Sequence, residues 1–392
     1  MRIGVDVREL LGRPTGVGRY LLHLLGEWAT LASKGAFPHQ IVLYSPAEYP
    51  LEAAAVFAAL APENRIVRGS PGTWWEQVQL PRAAARDRID VFFAPAYTAP
   101  LRMACPVVQT IHDLSFLAHP EWFSIRERFR RAWLTRASAR RARTVLTDSR
   151  FSAGEIHGRL GIPDDRIRVI PLGLRIVTPG PGTITPGVID PEAKPLITPG
   201  VIHSSGWPTF RERRPTVLYV GSIFNRRRVP DLIRAFAQVA AAVPESRLEI
   251  VGEDRTHPRQ DLVALCLTLN VADRVVIRDY VSDDELVGLY RSARVFAFLS
   301  EYEGFGLTPL EALSSGIPAV VLDTPVARET CGPAACYVGL GDTQGVATHL
   351  RRLLTDERAH QEALAPAAAV LARYSWPAAA HATLEALEGA AR

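Results

Sequence analysis

Short apolar runs recur along this chain at intervals that leave room for one helix between each and the next. Val295-Phe296-Ala297-Phe298-Leu299 is the clearest. It lacks polar alternation, so it reads as a strand covered on both faces, the environment of a parallel sheet. Residues 2–7, 41–45, 91–95, 106–111, 144–148 and 167–173 form one series of such runs, and residues 216–221, 247–252, 275–280, 294–299 and 317–323 form a second. Helical stretches lie between them, among them 16 to about 31, 74–88, 126–143 and 230–242. Parallel neighbours need a crossover, usually a helix. Two successive series therefore predict an α/β chain of two doubly wound, Rossmann-like domains facing a cleft. The first spans 1–173 and the second 212–373, and Tyr374-Ser375-Trp376 opens a final helix over 374–392. Between the domains, 174–211 is rich in Pro and Gly and carries Ile-Thr-Pro-Gly-Val-Ile twice, at 184–189 and 197–202. That stretch reads as an extended interdomain insertion.

Composition narrows the class. A length of 392 residues suits two ordinary domains, and 47% hydrophobic with 22% charged residues is a globular balance. The formal charge is only +4, with no Lys/Arg-rich tail and no nucleic-acid motif, so nucleic acid is not an expected partner. The basic residues are nearly all Arg; Lys34 and Lys194 are the only lysines. Cys105, Cys266, Cys331 and Cys336 have neither zinc nor redox spacing, and no Asp-x-Asp occurs, so no metal or other cofactor is expected. The chain opens directly on a strand and has no apolar run near the ~18 residues that span a bilayer, which leads us to expect a cytoplasmic protein without a signal peptide.

The richest motif follows Leu299. Glu303-Gly304-Phe305-Gly306-Leu307-Thr308-Pro309-Leu310-Glu311 leaves a strand, turns on glycines and enters a helix. Thr308 is placed to cap that helix, Pro309 suits its first turn, and Glu311 completes a capping box. Backbone N–H groups at such a start form a site for anionic or hydroxyl-rich ligands. The two glutamates are either ligands there or, more blandly, a loop acid and a cap. At the other end of the chain, Gly16-Val17-Gly18-Arg19-Tyr20 opens a helix after the first strand. The third glycine of a dinucleotide fingerprint is replaced by Leu21, which disfavours a nicotinamide enzyme. His112 ends the strand at 106–111, on the edge where doubly wound sheets bind ligands. Arg226-Arg227-Arg228 lies at the end of the strand that closes with Gly221-Ser222, suited to neutralising a diphosphate. Arg126, Arg128, Arg130, Arg131, Arg136, Arg140, Arg141 and Arg143 crowd one helix, with Phe129, Ala132, Trp133, Leu134 and Ala137 as its apolar side. That helix either rests on an anionic membrane surface or carries solvated arginines.

Glu303 and Glu311, eight apart around Gly-Phe-Gly-Leu, resemble the two-glutamate donor-sugar motif of glycosyltransferase family 4, which has the GT-B fold. His112-Asp113-Leu114-Ser115-Phe116 with Pro120-Glu121 is similar to the family segment whose His lies at the reaction centre, and Thr147-Asp148-Ser149 and 169–173 resemble markers closing the first domain. The resemblance implies that Glu303 contacts the transferred sugar and Glu311 the ribose. It implies catalytic roles for His112, Glu303, Arg226 and Arg227. It implies donor-binding roles for Gly16, Gly18, Gly221, Ser222, Gly304, Phe305, Gly306, Leu307, Thr308 and Glu311. The family pattern at the arginine loop is Arg-Lys-Asn, so Arg227 and Arg228 depart from it. In the family the final helix returns to the acceptor-binding first domain, and the second domain holds the nucleotide. Domain closure would then gather Gly16, His112, Arg226, Arg227 and Glu303 round the anomeric carbon.

The pairing of Gly16–Tyr20 with His112–Phe116 looks most like the mannosyltransferase branch that builds bacterial surface polysaccharides. The expected activity is thus retaining, metal-independent transfer of mannose from GDP-mannose to a glycan or lipid-linked acceptor. UDP-glucose, UDP-N-acetylglucosamine and dTDP-rhamnose stand behind as donors. A glycosyl phosphorylase of the same fold and a non-catalytic nucleotide-sugar-binding protein remain open alternatives.

Overall fold

The computed structural model describes residues 1–12, 16–174 and 207–392. Most of the Pro/Gly-rich stretch expected at 174–211, with its two repeats, lies outside the described residues. The chain divides into two compact units. One comprises Met1–Gly173 with Ser375–Arg392; the other comprises Leu174 and the described residues from 207 to Tyr374.

In the first unit the strands are β1 (Arg2–Asp6), β2 (Gln40–Ser45), β3 (Glu63–Ile66), β4 (Val91–Ala94), β5 (Val107–Thr110), β6 (Thr144–Thr147) and β7 (Ile167–Val169). They form one sheet in the order β3-β2-β1-β4-β5-β6-β7, and every neighbouring pair is parallel. In the second unit β8 (Thr216–Val220), β9 (Arg247–Val251), β10 (Val275–Arg278), β11 (Val295–Phe298), β12 (Ala319–Leu322) and β13 (Ala335–Val338) form a sheet ordered β10-β9-β8-β11-β12-β13, again all parallel. Both orders reverse direction once, between β1 and β4 and between β8 and β11. Beyond the C-terminal ends of strands at such a reversal, a doubly wound sheet leaves its binding crevice.

The central strands β4, β11 and β12 are buried along their whole length, as unbroken apolar runs require, and β5 is equally buried although it carries Gln109 and Thr110. Two strands escaped the sequence reading. The β3 stretch, Glu-Asn-Arg-Ile, is an edge strand with charged residues and no apolar run. The β13 stretch begins straight after a 3-10 turn at Gly332–Ala334 and is only partly buried. The strand read at 167–173 is shorter, stopping at Val169 before Pro171. The helix read at 74–88 opens with a π-helical turn at Trp75–Gln79 before its α-helical part, Leu80–Arg86.

The last helix, Trp376–Ala391, is capped by the Ser375 side chain and packs against helix Gly16–Ser33. The buried indole of Trp28 donates to the Ala380 carbonyl at 3.0 Å. Tyr374, one step earlier, stays with the second unit: its hydroxyl donates to the Thr330 carbonyl at 2.8 Å and its ring meets Phe305 edge-on.

The ends of β8 and β9 are held so closely that one glycine is obligatory. A Cβ on Gly252 would sit 2.0 Å from the Gly221 carbonyl oxygen, and the Gly221 N–H donates to Val251 O at 2.8 Å. Backbone cannot yield as a side-chain tip can. Gly252→Ala should therefore cost about 2–3 kcal/mol and lower the melting temperature, read by circular dichroism; an unchanged melting curve would contradict this packing.

Candidate functional site

The second unit collects its charged groups at the β8/β11 reversal. Arg227 lies in the 3-10 turn Asn225–Arg227 that follows β8, and Glu303 lies in the turn after β11. The Arg227 Nε donates to Glu303 Oε1 at 3.0 Å, and its Nη1 donates to the Ser222 carbonyl at 3.0 Å. The Ser300 hydroxyl donates to the same Glu303 oxygen at 2.7 Å. Phe298 lies under the guanidinium, 5.0 Å from it. Both side chains are largely covered, at 14% and 17% exposure. Burial alone would raise the Glu303 pKa, but Arg227, Arg226 and the Ser300 bond outweigh it and hold the carboxyl below its ordinary value. Burial likewise works against the Arg227 charge, and the Glu303 carboxylate overcomes it, so its pKa is raised. The pair is therefore a fixed, fully ionised dipole.

Arg226 stacks over Phe224, its guanidinium 4.3 Å from the ring centre, and its carbonyl accepts from the Glu301 N–H at 2.9 Å. Arg228 is turned elsewhere. It adopts a left-handed conformation (φ 50°) and ion-pairs with Asp231 at 3.0 Å and Glu301 at 3.3 Å. Gly221 explains itself: a Cβ there would lie 2.4 Å from Arg227 Nη1, displacing it from the Ser222 carbonyl.

The capping box expected at Thr308 and Glu311 does not form. Helix Leu307–Ser314 starts two residues sooner, with Gly306 as its N-cap in a left-handed conformation (φ 85°) that glycine alone adopts cheaply. Thr308 thus falls inside the first turn, and its buried hydroxyl has no hydrogen-bond partner among the described residues. Glu311, freed from capping, accepts from the Tyr290 hydroxyl at 3.4 Å. The Phe305 ring is buried against Tyr374, and the adjoining Gly304 is buried as well.

In the first unit, Gly16 begins helix Gly16–Ser33; a Cβ on it would meet nothing within 4 Å, whereas Gly18 one half-turn on is buried. His112 follows β5. Its Nδ1 lies 2.7 Å from Asp148 Oδ2 after β6, and its Nε2 lies 3.0 Å from the Pro95 carbonyl after β4. Tyr20 meets its ring edge-on at 4.9 Å. A carbonyl and a carboxylate both accept, so this setting favours the ring protonated on both nitrogens. Burial pulls its pKa down, but Asp148 more than offsets this and the value is raised. Asp148 as the histidine's counter-ion was not legible in the sequence, and neither were Ser300 and Phe224. The only hint was local, Ser300 standing three residues before Glu303. Also unread was the buried triad in which Arg8 binds Asp6 (2.9 Å) and Glu76 (3.0 Å).

Two doubly wound parallel sheets, each with charged groups at its strand ends, fix the architecture, and comparison with known proteins gives the family. A family model described as Glycosyltransferase Family 4 matches residues 14–176, and one described as Glycosyl transferases group 1 matches 207–370. The chain belongs to glycosyltransferase family 4 (group 1), with the GT-B fold. Escherichia coli O-antigen chain mannosyltransferase B is 26% identical over 298 residues, 75% of this chain and 73% of that one. E. coli serotype-specific mannosyltransferase WbdA is 25% identical over 295 residues; the match takes in 74% of this chain but only 34% of WbdA. The structure of Anabaena HepE in complex with UDP and glucose has a TM-score of 0.70 at 18% identity, covering 99% of this chain and 100% of that one. Among the described residues no helix is long and apolar enough to cross a membrane.

The histidine pair carries a sign that can be measured. Because the His112 pKa is raised above its ordinary 6.5, the pairing stabilises the fold fully below that value and is lost as pH climbs past the raised one. Asp148→Asn should thus lower the melting temperature most in acid, with the gap to wild type closing at alkaline pH. A gap independent of pH would show that His112 is not charged.

Proposed function

We propose that this glycosyltransferase moves mannose from GDP-mannose to a glycan or lipid-linked acceptor in surface polysaccharide synthesis, retaining the anomeric configuration and needing no divalent metal. The observation that carries the site is the ionised Arg227–Glu303 pair at the β8/β11 reversal. A guanidinium has five donors, more than its bonds to Glu303 and Ser222 use, so Arg227 can also take a donor phosphate. Arg226 adds a second positive charge. Glu303, kept ionised, accepts hydrogen bonds from sugar hydroxyls, and Glu311 accepts them from the ribose. The backbone from Gly304 through Thr308, with Leu307 at the helix start, faces the diphosphate. Gly221 and Ser222 hold Arg227 in position.

In this reading the bond from the anomeric carbon to the diphosphate breaks and a bond to the acceptor oxygen forms on the same face. The acceptor's proton passes to the departing diphosphate, whose charge Arg226 and Arg227 balance. In the first unit, exposed Gly16 leaves the backbone at the start of helix Gly16–Ser33 open to the donor, with buried Gly18 behind it. His112, with an acceptor facing each ring nitrogen, contributes position and, when protonated, positive charge. The names of the two E. coli relatives favour mannose, and the HepE complex keeps UDP-glucose as the next donor.

The test offers GDP-mannose, UDP-glucose, UDP-N-acetylglucosamine and dTDP-rhamnose with oligosaccharide and lipid-linked acceptors in EDTA, reading transfer by mass spectrometry and anomeric configuration by NMR. GDP-mannose should be used, with retention. Glu303→Ala and Arg226→Ala should each lower transfer by more than about tenfold; the fold should survive in both, with a lower melting temperature in Glu303→Ala because the buried Arg227 charge loses its partner. Near-normal rates in both variants would sink the site assignment, and a strict need for a divalent ion would sink metal independence.

A further inference from the structure

The arginine-rich helix, Ile125–Arg141, presents two apolar faces rather than the single one its sequence implied. Leu134, Thr135, Ser138 and Ala139 point into the first unit and are buried. Ile125, Phe129 and Trp133 recur every four residues, which puts them in one stripe along a helix. They point outward, at 72%, 62% and 64% exposure. Three large apolar side chains left aligned in water are an interaction surface unless something covers them.

The charges beside the stripe say what covers it. Arg126, Arg130 and Arg140 are exposed on the same outward side of the helix. The helix's one carboxylate, Glu127, is neutralised by Arg131 at 2.6 Å. Arg136 and Arg141 hold the helix to the rest of the unit by donating to the carbonyls of Arg159 (2.9 Å) and Leu101 (2.5 Å). The surface is thus apolar, cationic and already rigid, so little ordering would oppose docking. A second copy of the chain is a poor match, because a two-fold contact would set these arginines against their own equivalents. An anionic bilayer answers both features: its headgroups meet the guanidinium groups, and the boundary with the acyl chains takes Trp, Phe and Ile.

We propose that the Ile125-Phe129-Trp133 stripe inserts into the headgroup boundary of an anionic membrane, steered by Arg126, Arg130 and Arg140. The contact is peripheral and does not depend on the sugar donor, so it stands or falls separately from the transferase reading.

The experiment is flotation of the full chain with phosphatidylcholine vesicles, with and without phosphatidylglycerol. We expect binding only to the anionic vesicles, weakening as salt rises and the screening length falls below about 10 Å. Phe129→Ala with Trp133→Ala should weaken that binding by about tenfold or more. Removing one of the three arginines should weaken it about fivefold. Melting temperature and transfer to a water-soluble acceptor should not change in either case. Absence of binding at low salt would overturn the proposal. So would full binding by the double variant, which would make the attraction purely electrostatic. Self-association on a sizing column that the double variant abolishes would assign the stripe to a second copy instead.

Discussion

The second unit depends on one buried ion pair. Taking a guanidinium and a carboxylate out of water is costly unless each finds the other with good geometry and further hydrogen bonds. Arg227 and Glu303 meet that condition through the Ser222 carbonyl and the Ser300 hydroxyl. The arrangement then dictates its surroundings. Gly221 has no side chain because Arg227 occupies its space, and Gly252 has none because the Gly221 carbonyl presses on it. Ser300 and Glu303 come from the end of β11, and Gly221 and Ser222 from the end of β8, the two strands between which the sheet order reverses. A topological accident of parallel sheets thereby becomes a rigid, charged site.

The first unit solves a similar problem with a histidine. Pro95, His112 and Asp148 lie just beyond the ends of β4, β5 and β6, and the imidazole ring ties all three ends together. The Ser152 hydroxyl adds a bond to the His112 carbonyl at 3.2 Å, anchoring the helix that follows β6. At the outer side of the same sheet edge, Arg8 fixes the end of β1 by binding Asp6 and Glu76, which is buried and also accepts from Thr98. In each unit the strand ends are braced by charge rather than by apolar packing. Strand ends cannot hydrogen-bond further along the sheet, and a ligand-binding edge cannot be filled with hydrophobic side chains.

Much of this was legible in the sequence because strand burial and helix starts have short-range signatures. The uninterrupted apolar runs at β4, β11 and β12 announced a parallel sheet, and the glycines round Phe305 announced the turn from β11 into helix Leu307–Ser314. What stayed hidden depends on tertiary neighbours. Asp148 is thirty-six residues from His112 and becomes its partner only through strand order. Thr308 has every local mark of a cap, yet Gly306 can adopt the left-handed conformation and starts the helix first. The charged β3 stretch pairs with β2 through backbone alone, so its side chains gave no sign of a strand. The Arg-rich helix looked singly amphipathic because sequence shows its periodicity without showing which face the domain takes.

The central claim is that Glu303, held ionised by Arg227, recognises the sugar while the arginines recognise the diphosphate. Calorimetric titration of GDP and of GDP-mannose into wild type and Glu303→Gln, all in EDTA, separates the two roles. The account predicts that wild type binds GDP-mannose more tightly than GDP, and that Glu303→Gln erases the difference while GDP affinity survives. Equal loss of both ligands would make Glu303 only a brace for Arg227, and an undiminished preference for GDP-mannose would place sugar recognition elsewhere.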